Sequence, residues 1–206
     1  MPRLQSAEVD ALLIDLGGVL VEIDWRRAFS AWAEDSGTTA AAIAARFSYD
    51  SAYAAHERGE IGAAEYFANL RRSLGIGLSD TQFLAGWNAI FVGEIVGARE
   101  LLAVAALRRP LYLFSNTCAV HREHWMPRFE ALLRPFAQRF LSCEIGLRKP
   151  DPEAFTWVSQ RIGMPPQRIA FFDDTAENVA GARTAGLCAF QVHSPAEIAA
   201  THGLKP

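Results

Sequence analysis

Cysteine is scarce: Cys118, Cys143 and Cys188 are the only three in a chain of 206 residues. Their odd number and wide spacing exclude a disulfide framework, and they do not fall at zinc-ligand intervals. No apolar run approaches the ~18 residues a membrane span needs, and no basic-then-apolar stretch opens the sequence as an export signal would. Excess charge is also lacking. The formal net of -3 gives no electrostatic reason to expect nucleic acid or an anionic membrane as partner. Internal repeats of roughly 20–50 residues and low-complexity linkers are absent too. A reduced, cytoplasmic protein, monomer or homodimer, is expected.

What is present is core material. The chain is 50% hydrophobic and 21% charged, the balance of a globular protein long enough to bury a sizeable core. Four short apolar runs read as strands: VDALLIDL (9–16), LYLFS (111–115), RIAFFDD (168–174) and LCAFQV (187–192), with RFLSC (139–143) a weaker fifth. Runs this continuously apolar suit strands covered on both faces, as in a parallel sheet. Helical patterns lie between them. Residues 153–162 follow a proline, and residues 177–185 follow Asp-Asp-Thr and stop at Gly186, a C-terminal cap signal. The expected fold is α/β, a doubly wound, mostly parallel sheet.

Residues 21–92 break this rhythm. Trp25, Phe29 and Trp32 recur at i, i+4, i+7, as do Phe83, Trp87 and Ile90; Phe67, Leu70 and Leu74 recur at i, i+3, i+7. The Ala-rich residues 38–47 add a segment of high helix propensity. Successive amphipathic helices without a strand predict a small helical domain inserted after the first strand. Residues 1–20 and 93–206 then form the α/β core domain, and residues 21–92 the insertion. One crossover connection needs far fewer residues.

Three strand ends carry polar side chains. Asp15 follows ALLI, Ser115 closes LYLF, and Asp173 and Asp174 follow IAFF. In open α/β sheets the ligand crevice lies outside the carboxyl ends of the strands, so topology alone would gather these residues. Lys149, in the loop GLRKPDP before a Pro-started helix, is the natural fourth member. Each alone has a structural explanation: a turn or cap for the aspartates, an N-cap for Ser115-Asn116-Thr117, a solvated charge for Lys149. The four together, in this order, point to one site.

The ordered set Asp15-Leu16-Gly17-Gly18-Val19-Leu20, Ser115, Lys149-Pro150 and Asp173-Asp174 with Asn178 resembles the motifs of the haloacid dehalogenase superfamily, mostly Mg²⁺-dependent phosphatases, over almost the whole chain. HERGEI (56–61), QFLAGWNAIFV (82–92), RKP (148–150) and FFDDTAENVAGA (171–182) are similar to its bacterial α-D-glucose-1-phosphate phosphatase branch. The resemblance implies that residues 21–92 are a small cap domain. It also implies Asp15 as nucleophile, and a Mg²⁺ held by Asp15, the Gly17 carbonyl and Asp174, with Asp173 on metal-bound water. Ser115 and Lys149 would bind phosphoryl oxygens. Gly18 would admit close approach of the backbone to phosphate, and Asn116 would touch phosphate or act as a cap. Asn178 would stand behind the carboxylates, and His56, Glu57 or Arg58 of the cap would reach sugar hydroxyls of the substrate or close over the site. The chemistry fits these types: an attacking carboxylate splits phosphoester hydrolysis into two steps, and hard oxygen ligands suit Mg²⁺.

The sequence departs from the superfamily at one place. Most of its phosphatases place a second Asp two residues after the nucleophile, as general acid for the leaving oxygen. Here that residue is Gly17, and such a group is typically worth about 10²–10⁴ in rate. Three readings follow. The substrate has a good leaving group, such as an anomeric sugar phosphate. Alternatively Asp24, His56, Glu57 or Glu60 supplies the proton. Or the protein is a metal-independent 2-haloacid dehalogenase, which needs no proton donor, although Asp173-Asp174 is the metal-binding form of the fourth motif. A non-catalytic phosphoester-binding relative is a further alternative. Helical spacing places Trp25 and Trp87 in the cap core rather than the pocket, and Cys118 is expected to be a passive small side chain.

Overall fold

A computed structural model describes residues 9–202. Its central sheet comprises β1 (Ala11–Ile14), β4 (Leu111–Ser115), β5 (Phe136–Leu141), β6 (Ile169–Asp173) and β7 (Cys188–Gln191). The order is β5-β4-β1-β6-β7 and every pairing is parallel. Period-2 alternation sends Leu12 and Ile14 of β1 to one face, with Leu113 and Phe172, and Ala11 and Leu13 to the other, with Phe114 and Phe171. Both faces are covered, which is why the strands read as unbroken apolar runs. One face takes α6 (Ala98–Ala106), α7 (Ala119–Arg128), α8 (Glu130–Leu133) and α12 (Pro195–His202); the other takes α10 (Pro152–Ile162) and α11 (Ala176–Thr184). A short α9 (Ser142–Ile145) follows β5.

The expected α11 ends one residue early and closes as a Schellman motif. Gly186 N–H donates to Arg183 O at 2.9 Å and Leu187 N–H to Ala182 O at 3.0 Å, with Gly186 at φ 91°. The glycine lies just past the cap, where a left-handed residue is required.

Between β1 and α6 run α1 (Trp25–Ser36), α2 (Ala40–Arg46), α3 (Ser51–Glu57), α4 (Ala63–Leu74) and α5 (Asp80–Asn88). Their starts follow the capping chemistry of the sequence: Asp24, Thr39 and Asp50 accept helix N–H groups, and Ser79 with Gln82 forms a capping box. The predicted aromatic stripes meet inside, with Trp32, Phe67, Phe83 and Trp87 all buried. Fully burying a side chain such as Phe67 contributes about 1.5–3 kcal/mol. Gly86 costs α5 some helix propensity but lets Trp32 lie against it, since a Cβ there would overlap the indole. Trp32 Nε1 then donates to Phe83 O at 3.1 Å.

The helices are not strand-free, as the sequence suggested. β2 (Val21–Ile23) pairs antiparallel with β3 (Phe91–Glu94) where the segment leaves and rejoins the sheet. Three- and four-residue strands show too little alternation to be read against the neighbouring helical pattern.

Candidate active site

Asp15 continues β1 by donating its N–H to Phe172 O at 2.9 Å, so the sheet aims its carboxylate past the strand end. The chain then turns sharply, and Leu20 and Val21 both donate to Leu16 O at 2.9 Å. Gly18 sits at φ 75°, and a Cβ there would overlap the Asp174 carboxylate. Glycine at 18 therefore lets the turn close against Asp174, a nearer cause than the approach of phosphate expected from sequence. Gly17 has no such backbone demand; a Cβ there would lie 3.1 Å from Ile23 Cγ1.

Lys149 is the hub. It is 1% exposed, and Nζ donates to Asp15 Oδ1 and to Asp173 Oδ2, each at 2.6 Å. Burial works against its charge, yet Asp15 and Asp173 together hold its pKa above the ordinary lysine value. Asp173 is fully buried and spoken for: Thr175 N donates to Oδ1 at 2.9 Å, and Asn178 Nδ2 reaches Oδ1 at 3.0 Å and Oδ2 at 3.1 Å. Its visible part is to hold Lys149, with Asn178 behind it as expected.

Ligand oxygens of Asp15, Asp173 and Asp174 lie within 4.8 Å of one another. Burial raises the pKa of Asp15, opposed by Lys149 and reinforced by Asp173 and Asp174. Burial and then Asp173 raise that of Asp174. Three carboxylates against one ammonium leave excess negative charge on hard oxygen donors, an arrangement suited to Mg²⁺. Asp15, Asp174 and the Gly17 carbonyl would hold it.

Asp15, Lys149 and Asp174 open into a cleft of about 630 Å³ lined also by Gly17, Gly18, Ser115, Asn116, Asn178, Trp25, Tyr49, Tyr53, Glu57 and Arg148. Ser115 is at the cleft floor. Asn116 spends its amide elsewhere: Nδ2 donates to Lys149 O at 2.8 Å, and Lys149 N donates to Asn116 Oδ1 at 2.9 Å. Through these bonds it fixes the backbone of Lys149, and α7 takes no side-chain cap from it.

The candidate residues of the helical segment 21–92 divide differently from expectation. His56 does not line the cleft; it is 2% exposed, stacks on Tyr66 at 4.6 Å, and its Nδ1 donates to Ile61 O at 3.1 Å. Arg58 also stays outside, paired with Glu60 at 2.6 Å. Asp24 caps α1 and pairs with Arg26. Of the four candidate proton donors, Glu57 alone lines the cleft. Trp87 is buried as expected, whereas Trp25 is half-buried and faces the cleft. Cys118 accepts from Trp87 Nε1 at 3.3 Å, and burial pushes its thiol up to about 12, so it is inert. Sequence reasoning missed Arg148, Tyr49, Tyr53 and the lock on Lys149 by Asn116. An Arg beside the motif lysine was the one available signal for the first.

Residues 9–186 match the model of a family described as haloacid dehalogenase-like hydrolase. The chain is 26% identical over 193 residues to a D-ribitol-5-phosphate phosphatase of Bacteroides thetaiotaomicron, covering 90% of this chain and 93% of that protein. It is 29% identical over 196 residues to Phosphatase MT3486 of Mycobacterium tuberculosis, covering 89% and 87%. A haloacid dehalogenase-family enzyme of B. thetaiotaomicron, solved with magnesium and inorganic phosphate, is similar at TM-score 0.75 and 29% identity over 89% of this chain and 93% of that one. The L-2-haloacid dehalogenase of Xanthobacter autotrophicus, at 17% identity and TM-score 0.67 over 89% and 77%, shares the fold.

Proposed function

The chain belongs to the haloacid dehalogenase-like hydrolase family and is a phosphatase, and we propose that it hydrolyses a small sugar phosphate through a phosphoryl group carried on Asp15, with Mg²⁺ as cofactor. The observation that carries this reading is Lys149 Nζ bridging Asp15 and Asp173 at 2.6 Å each, with Asp174 in the same cluster. A metal-independent dehalogenase would gain nothing from that third carboxylate.

Asp15 attacks phosphorus, and the leaving oxygen departs as the acyl phosphate forms. Lys149, locked by Asn116, keeps Asp15 ionised and offers its charge to the phosphoryl oxygens. Ser115 binds a further oxygen from the floor of the cleft. Mg²⁺, when bound, screens the repulsion between Asp15 and the phosphate dianion. Water then attacks phosphorus, the acyl oxygen–phosphorus bond breaks, inorganic phosphate leaves and the Asp15 carboxylate is restored. Residues 21–92 act as the cap over this chemistry, excluding bulk water.

Gly17 leaves the leaving oxygen without the usual proton donor. Anomeric sugar phosphates, whose leaving oxygen is more acidic than an ordinary alcohol, lose least, so they are the preferred esters. The name of the D-ribitol-5-phosphate phosphatase supports the sugar or polyol class. The test is phosphate release from an ester panel with Mg²⁺ and with EDTA. Loss of release in EDTA and recovery on adding Mg²⁺ support the reading; release that survives EDTA, or halide release from a 2-haloacid, overturns it.

A further inference from the structure

The cleft holds a second charged pair that the phosphoryl chemistry does not use. Glu57 ends α3 at 7% exposure, and Arg148 reaches it from the loop before α10. Nε and Nη2 of Arg148 both donate to Oε2, at 3.0 and 2.7 Å. Tyr53 also hydrogen-bonds the Glu57 carboxylate, which keeps room for a further donor. The turn after α3 is seated on the core: a Cβ on Gly59 would lie 2.6 Å from Cys143 O. Beside the pair stand Trp25, Tyr49 and Tyr53, with Tyr49 and Tyr53 edge to face at 5.0 Å and Tyr49 65% exposed.

Two physical consequences follow. A carboxylate accepts hydrogen bonds and cannot donate them, and a guanidinium does the reverse. Together they complete their bonds with hydroxyl groups, while aromatic faces pack the apolar C–H face of a ring or chain. The second consequence is charge. Among the described residues lining the cleft, the lysine and arginine cations are Arg148 and Lys149, and both are already paired with carboxylates. A second phosphate on the substrate would find no uncompensated cation.

We propose that the Glu57–Arg148 pair, with Trp25, Tyr49 and Tyr53, selects a neutral, polyhydroxylated leaving group and rejects esters carrying a second phosphate. The Glu57 carboxylate accepts the substrate hydroxyls, and its partner Arg148 stands one residue before the lysine that meets the phosphoryl group. The inference rests on the phosphatase reading above and deepens it.

The test compares kcat/KM of wild type and Glu57→Gln on p-nitrophenyl phosphate, a hexose monophosphate and a hexose bisphosphate. In Glu57→Gln the monophosphate to p-nitrophenyl ratio falls about tenfold, as loss of a charged hydrogen bond predicts. The bisphosphate to monophosphate ratio rises at least as much, because Arg148 is freed. Tyr49→Ala, at an exposed position, lowers the first ratio with the core intact and serves if Glu57→Gln does not fold. An equal fall on all three esters makes the pair structural and overturns the proposal. Wild type that cleaves p-nitrophenyl phosphate but no hydroxylated ester also overturns it, leaving the phosphatase reading intact. Wild type that cleaves none of the three removes that reading, and the inference with it.

Discussion

Asn116 and Lys149 are joined by a reciprocal pair of bonds: the Asn116 side-chain amide donates to Lys149 O at 2.8 Å and accepts from Lys149 N at 2.9 Å. One side chain at the end of β4 thus fixes the backbone of the residue whose ammonium meets Asp15 and Asp173. Asn116→Ala leaves a part-buried N–H and C=O without partners, a loss of about 1–3 kcal/mol. Urea unfolding should show that loss, and kcat should fall about tenfold as the ammonium loses its aim. Unchanged values of both would remove Asn116 from the positioning of Lys149.

Lys149→Met leaves the carboxylates of Asp15, Asp173 and Asp174 together without their buried cation. Removing one partner of a buried pair costs about 3–5 kcal/mol. Magnesium should restore part of this in the variant, because an ion that binds only the folded state raises its stability. Thermal melts with and without Mg²⁺ check it. A melting temperature that Mg²⁺ raises in neither wild type nor variant would speak against the cluster as the metal site.

Gly17→Asp would put a carboxyl where the superfamily usually keeps its proton donor. The backbone there tolerates a side chain, and only Ile23 must give, since a Cβ would approach its Cγ1 at 3.1 Å. The expected outcome is a rise of about 10²-fold in kcat on primary-alcohol phosphates, with a smaller rise on anomeric ones. Rates on a matched ester pair measure this. An equal change on both would show that leaving-group protonation does not limit the native enzyme.

His121 is buried in α7, stacked on Trp87 at 4.8 Å with Nε2 donating to Trp87 O at 2.9 Å. Burial pushes its pKa down to about 3, whereas the unfolded chain takes up that proton near pH 6.5. Between those values the unfolded state binds more protons, so stability falls as pH falls. The slope is about 1.4 kcal/mol per pH unit, or about 2 kcal/mol between pH 7 and 5. His121→Asn lacks this dependence. Denaturant melts at the two pH values should show wild type losing about 2 kcal/mol more than the variant, and parallel losses would contradict the assignment.

The sheet and the site floor were legible in the sequence because both follow from local rules. Continuous apolar runs gave the parallel strands, and strand-end polar residues gave Asp15, Ser115, Asp173 and Asp174, with Lys149 in the adjoining loop. What stayed hidden depends on contacts between residues distant in sequence. Glu57 and Arg148 are 91 positions apart, and no local pattern reveals that the turn at Gly59 seats α3 on Cys143. His56, Arg58 and Glu57 read alike as one charged run, yet helix phase buries the imidazole against Tyr66 and turns Glu57 into the cleft. The crowding of Gly18 by the Asp174 carboxylate is of the same long-range kind.

The central claim is that Asp15 carries the phosphoryl group. It is tested most directly by mixing enzyme, Mg²⁺ and substrate, quenching in acid within one turnover, and mapping the protein by mass spectrometry. The account predicts one added phosphoryl on the peptide containing Asp15, absent from Asp15→Asn, which also releases no phosphate. A fully active Asp15→Asn, or a phosphoryl group found on another residue, would contradict it.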